Sequence, residues 1–267
     1  MRKTLLWILF AAVLGAFSES PWLPQLPSLV VKRNIGLAFG QIALPFPGPG
    51  GVAAPPANPL APVGSNSAVS NAVSYSPTAG NLVRVWIVAY GGNSPLITSV
   101  TDNATGGSTS YSSAFNTASP GGNSNLQEAE FYTCSVKAGV TTLTVNASPY
   151  PNGYMMAIVQ EWSGNATSSC LDKVPAGYSY TASSVYSNYS GTLSQAFEVA
   201  IGDFFNSSCT TAFVGTSGFG GTINLVNSPW GKNSGTVSKV VSVTTSLQAT
   251  ASGGCGWDAW IVTYKAS

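Results

Sequence analysis

Residues 81–91 read NLVRVWIVAYG. Val83, Val85, Ile87 and Ala89 fall on one face at period two, and Leu82, Arg84, Trp86, Val88 and Tyr90 on the other. Both faces are mostly apolar, which predicts a central strand covered on its second face as well as its first. The turn SPTAG at 76–80 feeds this strand. Strand-like segments follow at 95–102, 109–114, 126–136, 140–147 and 154–162, separated by Gly, Ser, Asn and Pro. A second group follows at 193–205, 211–215, 220–225, 237–248 and 257–264. In 193–205 the alternation sets Phe197, Val199 and Ile201 toward a core, with Ala196, Glu198 and Ala200 opposite. No segment sustains a 3.6-residue period, and no crossover helix of about a dozen residues is visible. The expected fold is an all-β antiparallel β-sandwich of the jelly-roll kind over residues 64–267.

Before that sandwich the chain changes character. Met1-Arg2-Lys3 and the apolar run to Phe17, with small residues at Ala16 and Ser18, have the pattern of a signal peptide over 1–18. An uncleaved membrane anchor is the alternative, although the run is short against the roughly 20 residues of a span. Residues 19–43 contain extended candidates at 28–32 and 35–42. Residues 44–63, LPFPGPGGVAAPPANPLAPV, are too rich in Pro and Gly for a helix or a central strand, and read as a linker.

The chain of 267 residues has ten Lys plus Arg, nine Asp plus Glu and no His. Removal of 1–18 deletes Arg2 and Lys3 and leaves eight basic side chains against nine acidic. There is no basic excess to serve nucleic acid. Without His there is no His-based acyl-transfer triad and no His-containing zinc site. The polar surface must come from Ser, Thr, Asn and Gln. Cys134, Cys170, Cys209 and Cys255 are even in number and widely spaced. In an exported chain they predict two disulfides, of three open connectivities, and a secreted or cell-surface location.

The entry phrase Val73-Ser74-Tyr75-Ser76-Pro77-Thr78-Ala79-Gly80-Asn81-Leu82 is followed by Val100-Thr101-Asp102-Asn103 with Gly106, then Tyr111. Later come Glu161-Trp162-Ser163-Gly164 and the closing phrase that runs from Ala259 to Lys265, AWIVTYK. Together these resemble secreted bacterial jelly-roll domains of unassigned activity, related in shape to concanavalin-like lectin and glucanase sandwiches. The resemblance spans roughly residues 68–267 and implies the fold and export rather than an activity.

Candidate chemistry is sparse. Sugar stacking needs a flat ring at the surface with polar groups around it. Trp230, in NSPWGKN, Trp257, after Gly254-Cys255-Gly256, and Tyr150, between two prolines, are the candidates. Tyr178, Tyr180, Tyr186 and Tyr189 crowd a Ser-rich region, and Trp86, Trp162 and Trp260 lie within strands and read as core. Glu128 and Glu130 share one strand face at a spacing open to glycoside hydrolysis. However, Thr133 and Cys134 stand where the longer acidic signature of the glucanases would place a third carboxylate. A solvent-facing edge pair is the favoured reading of the two. Asp102, Asn103, Asp172 and Asp258 lack the dense spacing of a calcium loop and read as turn residues, so no metal or cofactor is expected. Five N-x-Ser/Thr sequons, at Asn103, Asn146, Asn165, Asn188 and Asn206, suit a chain rich in these residues. The expected function is a non-catalytic extracellular structural or adhesive domain. It is read as self-assembling through 19–43 or binding carbohydrate, with a polysaccharide-active enzyme as the alternative. Partners are therefore a second copy or surface glycans, with no nucleic acid and no membrane span once the leader is removed.

Overall fold

The structure, a computed structural model, describes residues 55–90, 96–118, 126–148, 155–180, 184–206, 208–225, 231–253 and 255–267. The expected leader over 1–18, the 19–43 segment and most of the Pro-rich stretch lie outside the described residues. Among the described residues all regular structure is strand, and every pairing is antiparallel.

The first half contains β1 (Ala61–Ala68), β2 (Ala72–Ser74), β3 (Leu82–Tyr90), β4 (Leu96–Asp102), β5 (Ser112–Ala118), β6 (Leu126–Thr133), β7 (Thr142–Ser148) and β8 (Met155–Ser163). They form a large sheet in the order β1-β8-β3-β6-β5 and a small one in the order β2-β7-β4. Leu60 is already buried, so the folded unit starts slightly before the boundary expected at 64.

The second half contains β9 (Leu171–Lys173), β10 (Tyr178–Tyr180), β11 (Ser184–Tyr186), β12 (Glu198–Asn206), β13 (Val214–Gly215), β14 (Gly220–Leu225), β15 (Asn233–Val241), β16 (Thr250–Ser252) and β17 (Trp257–Lys265). Its large sheet runs β10-β17-β12-β15-β14, with β9 also pairing β17, and its small sheet runs β11-β16-β13. These are the orders of the first half, strand for strand: β10 answers β1, β11 β2, β12 β3, β13 β4, and so on to β17 and β8. The sandwich expected over 64–267 is thus built as two sandwiches with the same strand order.

Three apolar cores separate four sheets. Val83, Val85, Ile87 and Ala89 of β3 meet Ile97, Val100, Leu143 and Val145 of the first small sheet. Ala200 and Phe204 of β12 meet Val185, Ala249 and Ala251 of the second. Between the two large sheets lie Leu82, Trp86, Val88, Met156, Ile158 and Trp162, packed with Val199, Ile201, Phe205, Trp260, Val262 and Tyr264. The other face of β3 therefore meets a whole second sheet, and β3 is buried over its length up to Tyr90. The same position explains why β12 is buried at every residue, Glu198 included, where alternation alone had placed Glu198 away from the core.

The joint has a local twofold character. β3 and β12 face each other at its centre, where Arg84 meets Asp203. β8 approaches β15, where Ser234 lies 3.5 Å from the Met156 sulfur. β6 approaches β17 through Glu128 with Trp260 and Glu130 with Tyr264. Since β15 answers β6 and β17 answers β8, the two flanking contacts are equivalent strand pairs exchanged.

Candidate functional site

The polar groups with unusual placement lie inside the joint. In β6, LQEAEFYT, alternation puts Leu126, Glu128, Glu130 and Tyr132 on the face toward the second half, and Gln127, Ala129, Phe131 and Thr133 on the other. Arg84 shares that inner face on β3, one strand away. Its guanidinium donates to Gln160 Oε1 at 2.5 Å, to Glu130 Oε2 at 2.6 Å and to Asp203 Oδ2 at 2.6 Å. The Tyr264 hydroxyl donates to the other Glu130 oxygen, and the Trp260 indole N–H to Glu128. Arg84, Glu128, Glu130 and Asp203 have no solvent exposure. Phe115 stacks on Trp260 with ring centres 4.0 Å apart and planes within 8°, covering the Glu128 side of the joint.

Electrostatics follow from the ratio of charges. Among the described residues, the buried carboxyl groups of Glu128, Glu130 and Asp203 share this layer with one guanidinium, and Asp258 lies near Glu128. Burial opposes the charge of Arg84, but Asp203 and Glu130 outweigh it and hold its pKa above the ordinary value. Burial raises Glu128 well above the usual carboxyl range, and Asp258 and Asp203 add to this against the Trp260 N–H. Burial likewise raises Asp203, with the charge of Glu130 added and Arg84 opposing. Tyr264 is raised by burial and by Glu130, so its phenol is a donor.

This arrangement corrects the reading of Glu128 and Glu130 as a solvent-facing edge pair. They are enclosed between two sheets, and each is engaged by an aromatic donor from the opposite half. A polysaccharide chain has no access to them. Trp86, Trp162 and Trp260 are core residues, as their strand positions predict.

The other sequence candidates are distributed elsewhere. Tyr150 and Trp230 lie outside the described residues. Trp257 opens β17, where its backbone pairs with Asn206 and Tyr180. Cys134 is joined to Cys170 and Cys209 to Cys255, which selects one of the three connectivities. The first bridge ties the end of β6 to the connection between the halves, and the second ties the segment after β12 to the one before β17.

Of the phrases that carry the jelly-roll resemblance, the closing one lies within β17 and the others hold turn locks at Glu161 and Asp102. Glu161 accepts hydrogen bonds from the Tyr75 hydroxyl at 2.7 Å, the Thr78 amide at 2.9 Å and the Asn81 side chain at 2.5 Å, fixing the turn before β3. Asp102 accepts from the Ala104 and Thr109 amides at 3.0 Å each and from the Tyr111 hydroxyl at 3.0 Å. Burial would raise its pKa, but these donors outweigh it and hold the carboxyl below the usual range. Its oxygens are thus committed to the turn, and among the described residues no group of three His, Cys, Asp or Glu side chains is placed to hold a metal ion. The sequon side chains are engaged too. Asn165 and Asn206 are buried, and Asn103, Asn146 and Asn188 each donate to a neighbouring segment.

Sequence reasoning missed the joint because alternation assigns a face without naming what covers it. One signal of the doubling was present. Tyr75-Ser76-Pro77-Thr78 precedes β3 as Tyr189-Ser190-Gly191-Thr192 precedes β12. Comparison with protein-family models, with curated proteins and with solved structures returned no match.

Proposed function

We propose that this chain is a non-catalytic extracellular structural module, a rigid double sandwich that assembles with further copies of itself. The observation that carries the reading is the use of Glu128 and Glu130. The carboxyl pair whose spacing suited hydrolysis serves instead to join two halves. The hydrolase alternative thereby loses its reacting groups. Two disulfides support an oxidising location outside the cytosol. No helix among the described residues is long and apolar enough to cross a membrane. The strand order supports reading each half as a jelly-roll variant whose fifth strand pairs at the edge of the larger sheet. Assembly rests on the sequence of residues 19–43, whose apolar stretches precede a Pro-rich spacer and suit strand addition to a neighbouring sheet edge.

The test is the mass and shape of the purified mature protein, by light scattering and negative-stain microscopy. Polymers or fixed oligomers that vanish on deletion of residues 19–43 are the expected result. A monomer at all concentrations overturns assembly. A glycan-array screen with Trp230→Ala and Trp257→Ala then tests the carbohydrate-binding reading.

A further inference from the structure

We infer that the joint between the two sandwiches is a pH-sensitive seam, tight in acid and loosened when its carboxyl groups lose their protons. The inference stands on placement. The carboxyl groups of Glu128, Glu130 and Asp203 and the guanidinium of Arg84 are enclosed in one layer between the large sheets, none with any exposure. Were Glu128, Glu130 and Asp203 all ionised, they would set three negative charges against the one guanidinium, an excess that a low-dielectric interior does not tolerate.

The groups that face each carboxyl identify which ones keep a proton. Asp203 on β12 meets Arg84 from β3 and Glu130 from β6. Thr236 of β15 and Trp260 of β17 are its register neighbours, and neither carries charge. Glu128 on β6 meets the Trp260 indole from β17, with Asp258 of β17 and Asp203 of β12 as nearby acids. Its register neighbours are Val88 of β3 and Thr117 of β5. Among the described residues no ion pair involves Glu128, and one Glu128 oxygen has no hydrogen-bond partner. Arg84 is already shared between Glu130 and Asp203. Glu130 takes the guanidinium on one oxygen and the Tyr264 hydroxyl on the other. Glu128 and Asp203 are therefore the proton holders.

The sign follows. A carboxyl whose folded-state pKa lies above its unfolded value stabilises the fold fully below the unfolded value, near 4. That stability is lost as pH rises through the folded value. Burial raises Glu128 and Asp203 in this way. Loss of their protons puts like charges on both sides of the joint, so the large sheets separate first while each sandwich keeps its own apolar core.

The test uses the full disulfide-bonded chain. Thermal unfolding is followed from pH 3 to pH 9 for the parent, Glu128→Gln and Asp203→Asn. Hydrogen exchange at β6, β12 and β17 is measured at pH 5 and pH 8, corrected for the intrinsic rate. The expected parent behaviour is a fall in Tm of roughly 5 °C or more toward alkaline pH, with loss of protection at these three strands before β4 and β7. Either amide variant should flatten the fall by removing one ionisation, and should retain protection at pH 8. A parent Tm that is level or rises from pH 4 to pH 8 overturns the inference. So does a fall that neither variant reduces, or exchange that accelerates equally in all strands. Two variants on opposite halves keep the test open if one of them fails to fold.

Discussion

Arg84 of the first sandwich donates to Asp203 of the second across 2.6 Å, and neither side chain has any exposure. The same guanidinium serves Glu130 and Gln160. Replacing it by an apolar residue leaves Glu130 and Asp203 buried without the guanidinium that serves them both. Arg84→Met is expected to cost about 3–5 kcal/mol, read as a lower midpoint in chemical denaturation. Arg84→Lys should recover little of this, because an ammonium lacks the planar fork that reaches three acceptors.

Glu198 offers a second titration remote from Arg84. It is pushed up to about 7, first by burial and then by the nearby Asp172 carboxyl. Its folded value exceeds its unfolded one, so its contribution is whole below about 4.3 and fades as pH rises through 7. Glu198→Gln should remove that part of the pH dependence of Tm between pH 5 and pH 8. Infrared detection of a protonated carboxyl at pH 6 that disappears in the variant gives an independent check.

The two disulfides should differ in how readily they are reduced. Cys170 is buried in the central core, whereas Cys255 is exposed. Mild reductant followed by alkylation and mass spectrometry should label Cys209 and Cys255 first. Each bridge closes a segment of comparable length, with sequence separations of 36 and 46. Loss of either is expected to lower stability by about 2–5 kcal/mol, measured by denaturation of the Cys→Ala pairs.

Asn206 tests whether its sequon is structural. Its side-chain amide donates to Thr211 O at 2.9 Å and Gly253 O at 3.2 Å, and its oxygen accepts from the Cys255 amide at 3.1 Å. It clasps the same two segments that the Cys209–Cys255 bridge joins. Asn206→Ala should destabilise by about 1–3 kcal/mol. Expression in a glycosylating host should give protein whose intact mass shows no glycan at Asn206 or Asn165.

Gly202 of β12 packs closely against Ala249, the residue before β16 of the second small sheet. A Cβ built there would lie 2.4 Å from the Ala249 Cβ and 3.1 Å from the Phe204 ring. Gly202→Val is expected to cost about 1–3 kcal/mol or more by overpacking, seen as a lower Tm with unchanged oligomeric state.

The sequence made parts of this molecule legible and hid others for physical reasons. The period-two pattern of 81–91 identifies β3 and its double covering, because a strand buried on both faces carries apolar side chains on both. The Trp residues inside strands read correctly as core. The doubling is nearly silent because sandwich cores accept many apolar combinations at constant volume. Even the connections differ in length, with 149–154 between β7 and β8 and 253–256 between β16 and β17, so little identity persists between the halves. Glu128 and Glu130 were misplaced for a different reason. Their charge argues for solvent, and their partners Arg84, Tyr264 and Trp260 arrive from strands remote in sequence. Tyr150 and Trp230 lie outside the described residues, and the proposed screen tests Trp230.

The matching strand orders also bear on how the chain is made. Sheet pairing in the first sandwich is complete once Ser163 of β8 has left the ribosome, before any strand of the second has emerged. Until then the inner face of its large sheet waits for a partner. An entirely apolar face of that size would capture neighbouring nascent chains. A face that carries Arg84, Glu128, Glu130 and Gln160 is hydrated while it waits. It gives up that water only to a surface that brings Asp203, Trp260 and Tyr264 to meet it. A joint built with these polar groups thus asks less of a half-made chain than a wholly apolar one would.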